Sequence, residues 1–195
     1  MTTIALAMFP GVEELDLVGP WEVLASWARL WPDDGVTVFT MATEPGPVRC
    51  AKGLRMLPDH AHTDAPEFDV LIYPGGQGTR RQLGDESVLD FVRSAAERAS
   101  ILASVCTGAL VYADAGLLDG RPATTHHASL DLLADLGQGI DVRACERFVD
   151  DGDIITAAGV SAGIDMALHL VAQLHSSERA GEVKRYIQYD PEPPV

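Results

Sequence analysis

The sequence predicts an α/β fold: a three-layer αβα sandwich of flavodoxin-like type, with a mostly parallel central sheet and helices on both faces. Two observations predict this class. Short runs of β-branched and other apolar residues alternate with longer segments of helical periodicity, and glycine-containing turns follow several of the runs. The 195 residues contain no repeat, linker or low-complexity tract, so we expect one domain spanning residues 1–195.

The first half of the chain alternates strand and helix. Thr3–Phe9 (TIALAMF) is a continuous apolar run typical of a buried strand, and Val36–Ala42 (VTVFTMA) is rich in β-branched residues. Between them, EELDLVGPWEVLASWARLW has helical periodicity that a Gly-Pro pair interrupts. Either Pro20 is the first helical residue, or a helix begins near Glu13 and kinks at the proline. The stretches PVRC and RMLP predict a small hairpin.

The second half continues the same alternation. Phe68–Gly76 (FDVLIYPGG) predicts a strand that runs into a glycine turn, and DESVLDFVRSAAERAS predicts an amphipathic helix. Ile101–Val105 (ILASV) predicts another buried strand, with CTGALVYADAGLL as its helix and ASLDLLADLG as a short one after RPATTHH. A hairpin is expected around Asp151-Gly152. VSAGIDMALHLVAQLHS and ERAGEVKRYIQYD predict the last two helices.

Composition excludes several classes of function. The formal charge of -15 would repel a phosphate backbone or an anionic membrane surface, so neither nucleic acid nor membrane is an expected partner. The first residues, MTTIALAMFPGVEELDL, have no basic segment and only a short apolar run, so we expect neither a signal peptide nor a membrane span. Cys50, Cys106 and Cys145 form no CxxC pair, which argues against a disulfide framework or a structural zinc site. A cytoplasmic location is therefore predicted.

Cys106 stands at the junction between a predicted strand and a predicted helix. Functional groups gather at the carboxyl ends of strands in open α/β sheets, and a sharp strand-to-helix turn, as in a nucleophile elbow, exposes its middle residue in strained dihedrals. Gly108 would give the helix room against the sheet. The helix amino end should lower the pKa of the Cys106 thiol. The alternative is that Cys106 is a small buried apolar residue. Cys50 and Cys145 are expected to be structural.

Five segments in order, DLVGPWEV, YPGG, ASVCTGAL, ATTHH and AGVSAGIDMALHLV, resemble the ThiJ/PfpI superfamily with its class I glutamine amidotransferase-like fold. The resemblance covers nearly the whole chain. Within the superfamily, FPGVEELDLVGPWEV and CTGAL…AGLLDGRPATTHH are most similar to isonitrile (isocyanide) hydratases. They also resemble the amidase-like sensory domains of AraC-type regulators.

The resemblance implies a set of site residues. Cys106 matches the superfamily's nucleophile, and Asp16 matches a carboxylate that hydrogen-bonds the sulfur. Most members carry Glu at that position, whereas the isonitrile hydratases carry Asp. Thr107 also matches the hydratases; PfpI-type proteases have His there, so peptidase activity is not expected. The backbone N–H groups of Gly75 and Gly76 match a turn that faces the sulfur and can act as an anion hole.

Further expectations concern accessory groups and assembly. His126 matches a His near the cysteine in the Parkinson-disease protein branch and is a candidate accessory residue; His127 is beside it. We expect no cofactor and no metal. Similar members pair as twofold dimers, so a homodimer is expected whose interface includes the tryptophan-rich Asp16–Trp31 segment.

Each of these residues also has a purely structural interpretation. Asp16 could complement a helix dipole, and Thr107 could cap a helix through its side chain. Gly75 and Gly76 could simply end a strand, and His126 could be a surface residue.

The resulting hypothesis is a cofactor-free cysteine enzyme, an isonitrile hydratase that acts on a small electrophilic substrate. It would convert an isonitrile to an N-substituted formamide through a thioimidate on Cys106, with Asp16 as acid and base. One alternative is a glyoxalase-like hydratase or lyase, or an amidase, acting on small carbonyl compounds. Another is a non-enzymatic redox sensor or ligand-binding domain built around the same cysteine. The sequence does not define the R group of the substrate.

Overall fold

A seven-stranded sheet crosses the centre of the protein in a computed structural model, which describes residues 1–190. The strands are β1 (Thr2–Met8), β2 (Val36–Ala42), β3 (Val48–Arg49), β4 (Arg55–Met56), β5 (His60–Ala61), β6 (Val70–Tyr73), β7 (Ile101–Val105), β8 (Pro122–Ala123), β9 (Asp141–Val142), β10 (Phe148–Asp150) and β11 (Ile154–Ala157). The order across the central sheet is β10-β11-β7-β6-β1-β2-β5, and every pair except β10–β11 is parallel.

Two groups of helices flank this sheet. The helices are α1 (Glu14–Leu30), α2 (Glu86–Arg98), α3 (Gly108–Asp114), α4 (Leu130–Leu136), α5 (Ala162–Leu174) and α6 (Ser177–Tyr186). Helices α1, α5 and α6 pack on one another, and α3 packs on both α2 and α4. The predicted fold class, a mostly parallel sheet flanked by helices, is confirmed. Within residues 1–190, no helix combines the length and the apolar character needed to cross a bilayer.

The strand order determines where the site forms. Strand β6 pairs with β1 on one side and β7 on the other, and β7 pairs in turn with β11. All four strands are parallel and almost fully buried, which explains their continuous apolar sequences. Their carboxyl ends therefore meet at one edge of the sheet, and the loops that follow them lie side by side.

The sequence left open whether Pro20 begins the first helix or lies inside it, and the structure of α1 decides between the two. The helix begins at Glu14 and contains Pro20, so Pro20 is not its first residue. Proline has no N–H, which leaves the backbone carbonyl of Asp16 without its usual helical donor. A Cβ built on Gly163 of α5 would lie 3.2 Å from Pro20 Cγ, so α1 and α5 approach closely where both residues are small or compact.

The sequence predicted some of the short strand pairs but not others. The predicted hairpins are present: β3 pairs with β4, and β10 pairs with β11 around Asp151 and Gly152. Strand β5 and the β8–β9 ladder were not predicted, because two paired residues are too few to show any periodicity. The predicted closing segment is helical only over Ser177–Tyr186.

Candidate active site

Cys106 occupies a strained turn between β7 and α3. Its φ of +55° lies in the left-handed region, which residues with a Cβ rarely adopt. Its N–H donates to the carbonyls of Ala157 (3.0 Å) and Ala158 (2.9 Å), and its carbonyl accepts from Thr125 Oγ1 at 2.6 Å. These bonds, made by the last residue of β11 and by the loops after β11 and β8, hold the backbone in this conformation.

Gly108 permits the close approach of α3 to the sheet. A Cβ at this position would lie 2.9 Å from the carbonyl oxygen of Pro74 and would also collide with the carbonyl of Tyr73. Any side chain would therefore push the first turn of α3 away from the end of β6. This confirms the packing role that the sequence predicts for Gly108.

Asp16 is a fully buried carboxyl beside the thiol. Its Oδ2 accepts a hydrogen bond from Gly75 N–H at 3.0 Å, whereas no nitrogen or oxygen donor among residues 1–190 reaches Oδ1. Burial raises the pKa of Asp16 to about 7, although hydrogen bonds with Cys106 and Gly75 oppose the rise. A carboxyl with this pKa can exchange a proton near neutral pH.

The pKa of the Cys106 thiol is raised, whereas the sequence predicts that it is lowered. Burial, followed by the negative charge of Asp16, raises the pKa of Cys106 to about 12. Hydrogen bonds from the backbone N–H groups of Thr107 and Val160 lower it, but they do not outweigh burial. Because the carboxyl has the lower pKa of the two, the pair at neutral pH is a thiol facing a carboxyl that readily ionises.

The Gly75–Gly76 turn also differs from the expected anion hole. Gly75 N–H donates to Asp16 Oδ2, and Gly76 N–H donates to Thr107 Oγ1 at 2.9 Å, so both donors are already engaged. The turn needs glycine for a steric reason. A Cβ on Gly75 would lie 2.7 Å from Thr107 Oγ1 and 2.9 Å from Asp16 Oδ2. The turn therefore holds the carboxyl in position, while Thr107 and Val160 supply the N–H groups at the sulfur.

Thr107 lies at the N-cap of α3, but its side chain does not cap the helix. Its Oγ1 accepts from Gly76 N–H and lies 3.2 Å from the Gly76 carbonyl and 3.0 Å from Thr79 Oγ1. The structural alternative of a side-chain cap is therefore wrong. The hydroxyl ties the residue after Cys106 to the turn that orients Asp16.

One family model matches residues 2–173, and it describes the DJ-1/PfpI family. The chain belongs to this family. Over 191 residues it is 44% identical to isonitrile hydratase of Pseudomonas putida, covering 98% of this chain and 80% of that protein. It is 32% identical over 176 residues to the HTH-type transcriptional regulator CdhR of Pseudomonas aeruginosa, covering 90% of this chain and 52% of the regulator. The resemblance identified from the sequence is thus confirmed.

A solved structure supports the same assignment. The crystal structure of a ThiJ/PfpI family protein from Pseudomonas syringae superposes with a TM-score of 0.89 at 35% identity, covering 100% of this chain and 77% of that chain. The DJ-1/PfpI assignment therefore rests on both sequence and three-dimensional similarity.

His126 lies on the loop after β8, beside the site of this DJ-1/PfpI chain. Its Nδ1 accepts from Ala128 N–H at 3.2 Å, and its ring packs against Gly159, where a Cβ would lie 2.7 Å from Cδ2. Burial, then the charges of His127 and Arg80, lower the pKa of His126. His126 borders the loop that carries Val160 and is only partly buried, so an accessory role for it remains a prediction.

Two contributors were missed by the sequence analysis. Val160 places its N–H at the sulfur with a φ of +43°, and Thr125 fixes the Cys106 carbonyl. Both lie in segments already singled out, AGVSAG and ATTHH, but no local pattern marks a valine for left-handed backbone. The three described cysteines are all free.

Proposed function

We propose that this DJ-1/PfpI protein is a cysteine-dependent lyase, most specifically an isonitrile hydratase that forms an N-substituted formamide. The observation that carries the proposal is the buried Asp16–Cys106 pair, in which a carboxyl whose pKa burial raises to about 7 adjoins a thiol. The 44% identity to a protein named isonitrile hydratase supports the same reaction class. The family match over residues 2–173 supports one domain, and three free cysteines fit a reducing, cytoplasmic location.

The first half of the reaction forms the thioimidate. As Cys106 Sγ attacks the terminal carbon of R–N≡C, the thiol proton passes to the ionised Asp16 carboxylate. The N–H groups of Thr107 and Val160 stabilise the negative charge on sulfur during this transfer. Asp16 then delivers the same proton to the attacked carbon, which gives Cys106–S–CH=N–R and restores the carboxylate.

The second half hydrates the thioimidate. Asp16 removes a proton from water as the oxygen adds to the thioimidate carbon, and this proton moves to the substrate nitrogen. The resulting hydroxyl then gives its proton to Asp16 as the carbon–sulfur bond breaks. Asp16 returns that proton to sulfur, and the products are R–NH–CHO and the free thiol. The net reaction adds one water to one isonitrile.

Asp16→Asn tests this proposal directly. Asn keeps the shape and can hydrogen-bond the sulfur, but it cannot ionise, so we expect turnover of p-nitrophenyl isonitrile to fall about 10²–10⁴-fold. Circular dichroism should show an intact fold. Glu22→Gln is the matched control, because this carboxylate lies on the exposed side of the same helix and, within residues 1–190, accepts a hydrogen bond only from Ser26 Oγ.

Two outcomes would contradict the hydratase. One is wild-type turnover by Asp16→Asn. The other is a wild-type protein that consumes methylglyoxal but no isonitrile, which would assign the site to carbonyl chemistry. Asp16→Glu is a second probe, because the longer side chain would press against the sulfur or leave its place. We expect it to weaken isonitrile hydration.

A second candidate is a ligand-binding role without turnover. The high pKa of the Cys106 thiol and the 32% identity to a transcriptional regulator favour it. Saturable binding of an isonitrile by calorimetry, with no product and no adduct mass on Cys106, would support this role over the hydratase.

A further inference from the structure

Arg80 is anchored beside the candidate site through its backbone. It belongs to the short 3₁₀ helix Gln77–Arg81, which follows the glycine turn. The preceding residue, Thr79, places its Oγ1 3.0 Å from Thr107 Oγ1, next to Cys106 in the chain. Arg80 therefore directly follows a residue whose side chain contacts Thr107, the residue after Cys106.

The side chain of Arg80 extends to the opposite loop. Its Nη2 donates to Ser129 Oγ at 3.3 Å, and Ser129 N–H donates to the His126 carbonyl at 2.8 Å. The His126 ring packs on Gly159, the residue before Val160. The guanidinium of Arg80 and the imidazole of His126 thus come near each other from the segments that follow β6 and β8.

The charge of Arg80 is not neutralised locally. Among residues 1–190 it forms no salt bridge, and Arg80 as a residue is exposed. Glu13, the nearby carboxylate that acts on His126, is paired with Lys52. The rings of His126 and His127 contact each other in a tilted arrangement, with centroids 4.2 Å apart. In a chain with 29 acidic residues and 14 lysines and arginines, an arginine that forms no salt bridge among residues 1–190 is available to bind an anion.

We propose that Arg80 binds an anionic group of the substrate, so that the preferred substrate is a small isonitrile bearing a carboxylate. This inference rests on the proposed function for its reaction class. A guanidinium presents two parallel N–H donors that match a carboxylate, and the imidazoles of His126 and His127 can add hydrogen bonds beside it. Arg80 is thereby a specificity-determining residue that selects the substrate without taking part in bond making.

The first experiment measures charge selection without any turnover. Cys106 is alkylated with iodoacetate, which is anionic, and with iodoacetamide, which is neutral, and both rates are measured by peptide mapping. Arg80→Ala should lower the ratio of the iodoacetate rate to the iodoacetamide rate about three- to tenfold, because an exposed charged contact is worth about 1 kcal/mol. Arg80→Lys should restore part of the ratio. Arg81→Ala is the matched control, since its neighbouring exposed guanidinium points to the Pro10 carbonyl instead.

The second experiment applies the same comparison to substrates. The ratio of kcat/KM for isocyanoacetate to kcat/KM for cyclohexyl isonitrile should fall about three- to tenfold in Arg80→Ala, mainly through KM, and should stay at the wild-type value in Arg81→Ala. A purely structural role for Arg80 would change both substrates by the same factor and leave both ratios unaltered, which would overturn the inference. High salt should reduce the wild-type ratio.

The experiments distinguish a failure of the hydratase proposal from a failure of the anion-site proposal. If no isonitrile is turned over but the alkylation ratio depends on Arg80, the anion site stands and the hydratase does not. If both isonitriles are turned over and neither ratio responds to Arg80→Ala, the hydratase stands and the anion site is refuted. Equal loss of the ratios in Arg81→Ala would also refute it, because the effect would then be general surface charge.

Discussion

Asp16 illustrates a conflict between stability and chemistry in a single side chain. Its carboxyl is fully buried and accepts one backbone hydrogen bond, and its other oxygen has no nitrogen or oxygen donor in the described part of the chain, residues 1–190. Burying a charge in this way destabilises the folded state, because water solvated the carboxylate in the unfolded chain. The same burial brings its pKa to about 7, where it can give and take protons.

Asp16→Asn should therefore stabilise the protein, and more so at high pH. The folded-state pKa of about 7 lies above the ordinary value of 3.8, so the folded protein keeps a proton that the unfolded chain has lost between those pH values. The free energy of unfolding should fall as pH rises from about 4 to 7 and then level off. Asn removes this loss and should gain about 1–3 kcal/mol at pH 8.

Urea unfolding at pH 4 and pH 8 measures this effect. Asp135→Asn, at an exposed position on α4, is the control and should leave the pH profile as in the wild type. If the free energy of unfolding depends on pH in the same way in Asp16→Asn and the wild type, burial of the carboxyl does not destabilise the folded state.

At the scale of elements, the turn after β6 joins the sheet to the site. Its two glycines bring the backbone within hydrogen-bond reach of α1 through Asp16 and of α3 through Thr107. The turn thereby fixes two helix amino ends against each other, and any added atom at Gly75 would separate them. The same turn thus packs the helices together and positions Asp16 and Thr107 in the candidate site.

Gly75→Ala should be strongly destabilising. The added Cβ would lie 2.7 Å from Thr107 Oγ1, and overpacking of a buried site of this kind typically costs about 1–3 kcal/mol. Gly181→Ala in α6 is the matched control, because its Cβ would lie 3.9 Å from the nearest side-chain atom. We expect that control to be neutral or stabilising by up to about 1 kcal/mol. Equal stability of the two variants in thermal unfolding would contradict the steric argument.

At the scale of the whole molecule, Trp27 of α1 and Trp31, which follows this helix, make their contacts within the monomer. Trp27 is 1% exposed and its indole N–H donates to Asp34 at 2.7 Å, while Arg179 lies over the Trp31 ring at 4.7 Å. The apolar surface of α1 comes instead from Leu15, Val18 and Leu30, which are 36–40% exposed. We propose that this surface forms the interface of a homodimer that includes the Asp16–Trp31 segment.

Val18→Arg should shift this dimer toward monomer. A buried unpaired guanidinium in an apolar interface is costly, so light scattering at micromolar concentration should report a lower mass than for the wild type. Glu97→Arg, on the exposed side of α2, introduces the same side chain away from the proposed interface and should keep the wild-type mass. A monomeric wild type would refute the dimer itself.

The order of strands and helices, the β10–β11 hairpin and the position of Cys106 at a strand–helix junction were predictable because they depend on short-range signals. Buried parallel strands are continuous apolar runs, and glycines mark the turns that follow them. The match of Cys106, Asp16 and Thr107 to family motifs likewise depends only on residues that are adjacent in the sequence. The proximity of Asp16 to Cys106 followed from the resemblance and not from spacing.

Only the tertiary structure decided how the polar groups of the site are used. Gly75 N–H bonds a carboxylate 59 residues away, and Gly76 N–H bonds a hydroxyl 31 residues away, so neither donor is left for an anion. The direction of the Cys106 pKa depends on how deeply the thiol is buried, and the left-handed backbone of Val160 depends on the loops around it. Burial and long-range hydrogen bonding are sums over distant segments, which is why local sequence patterns do not contain them.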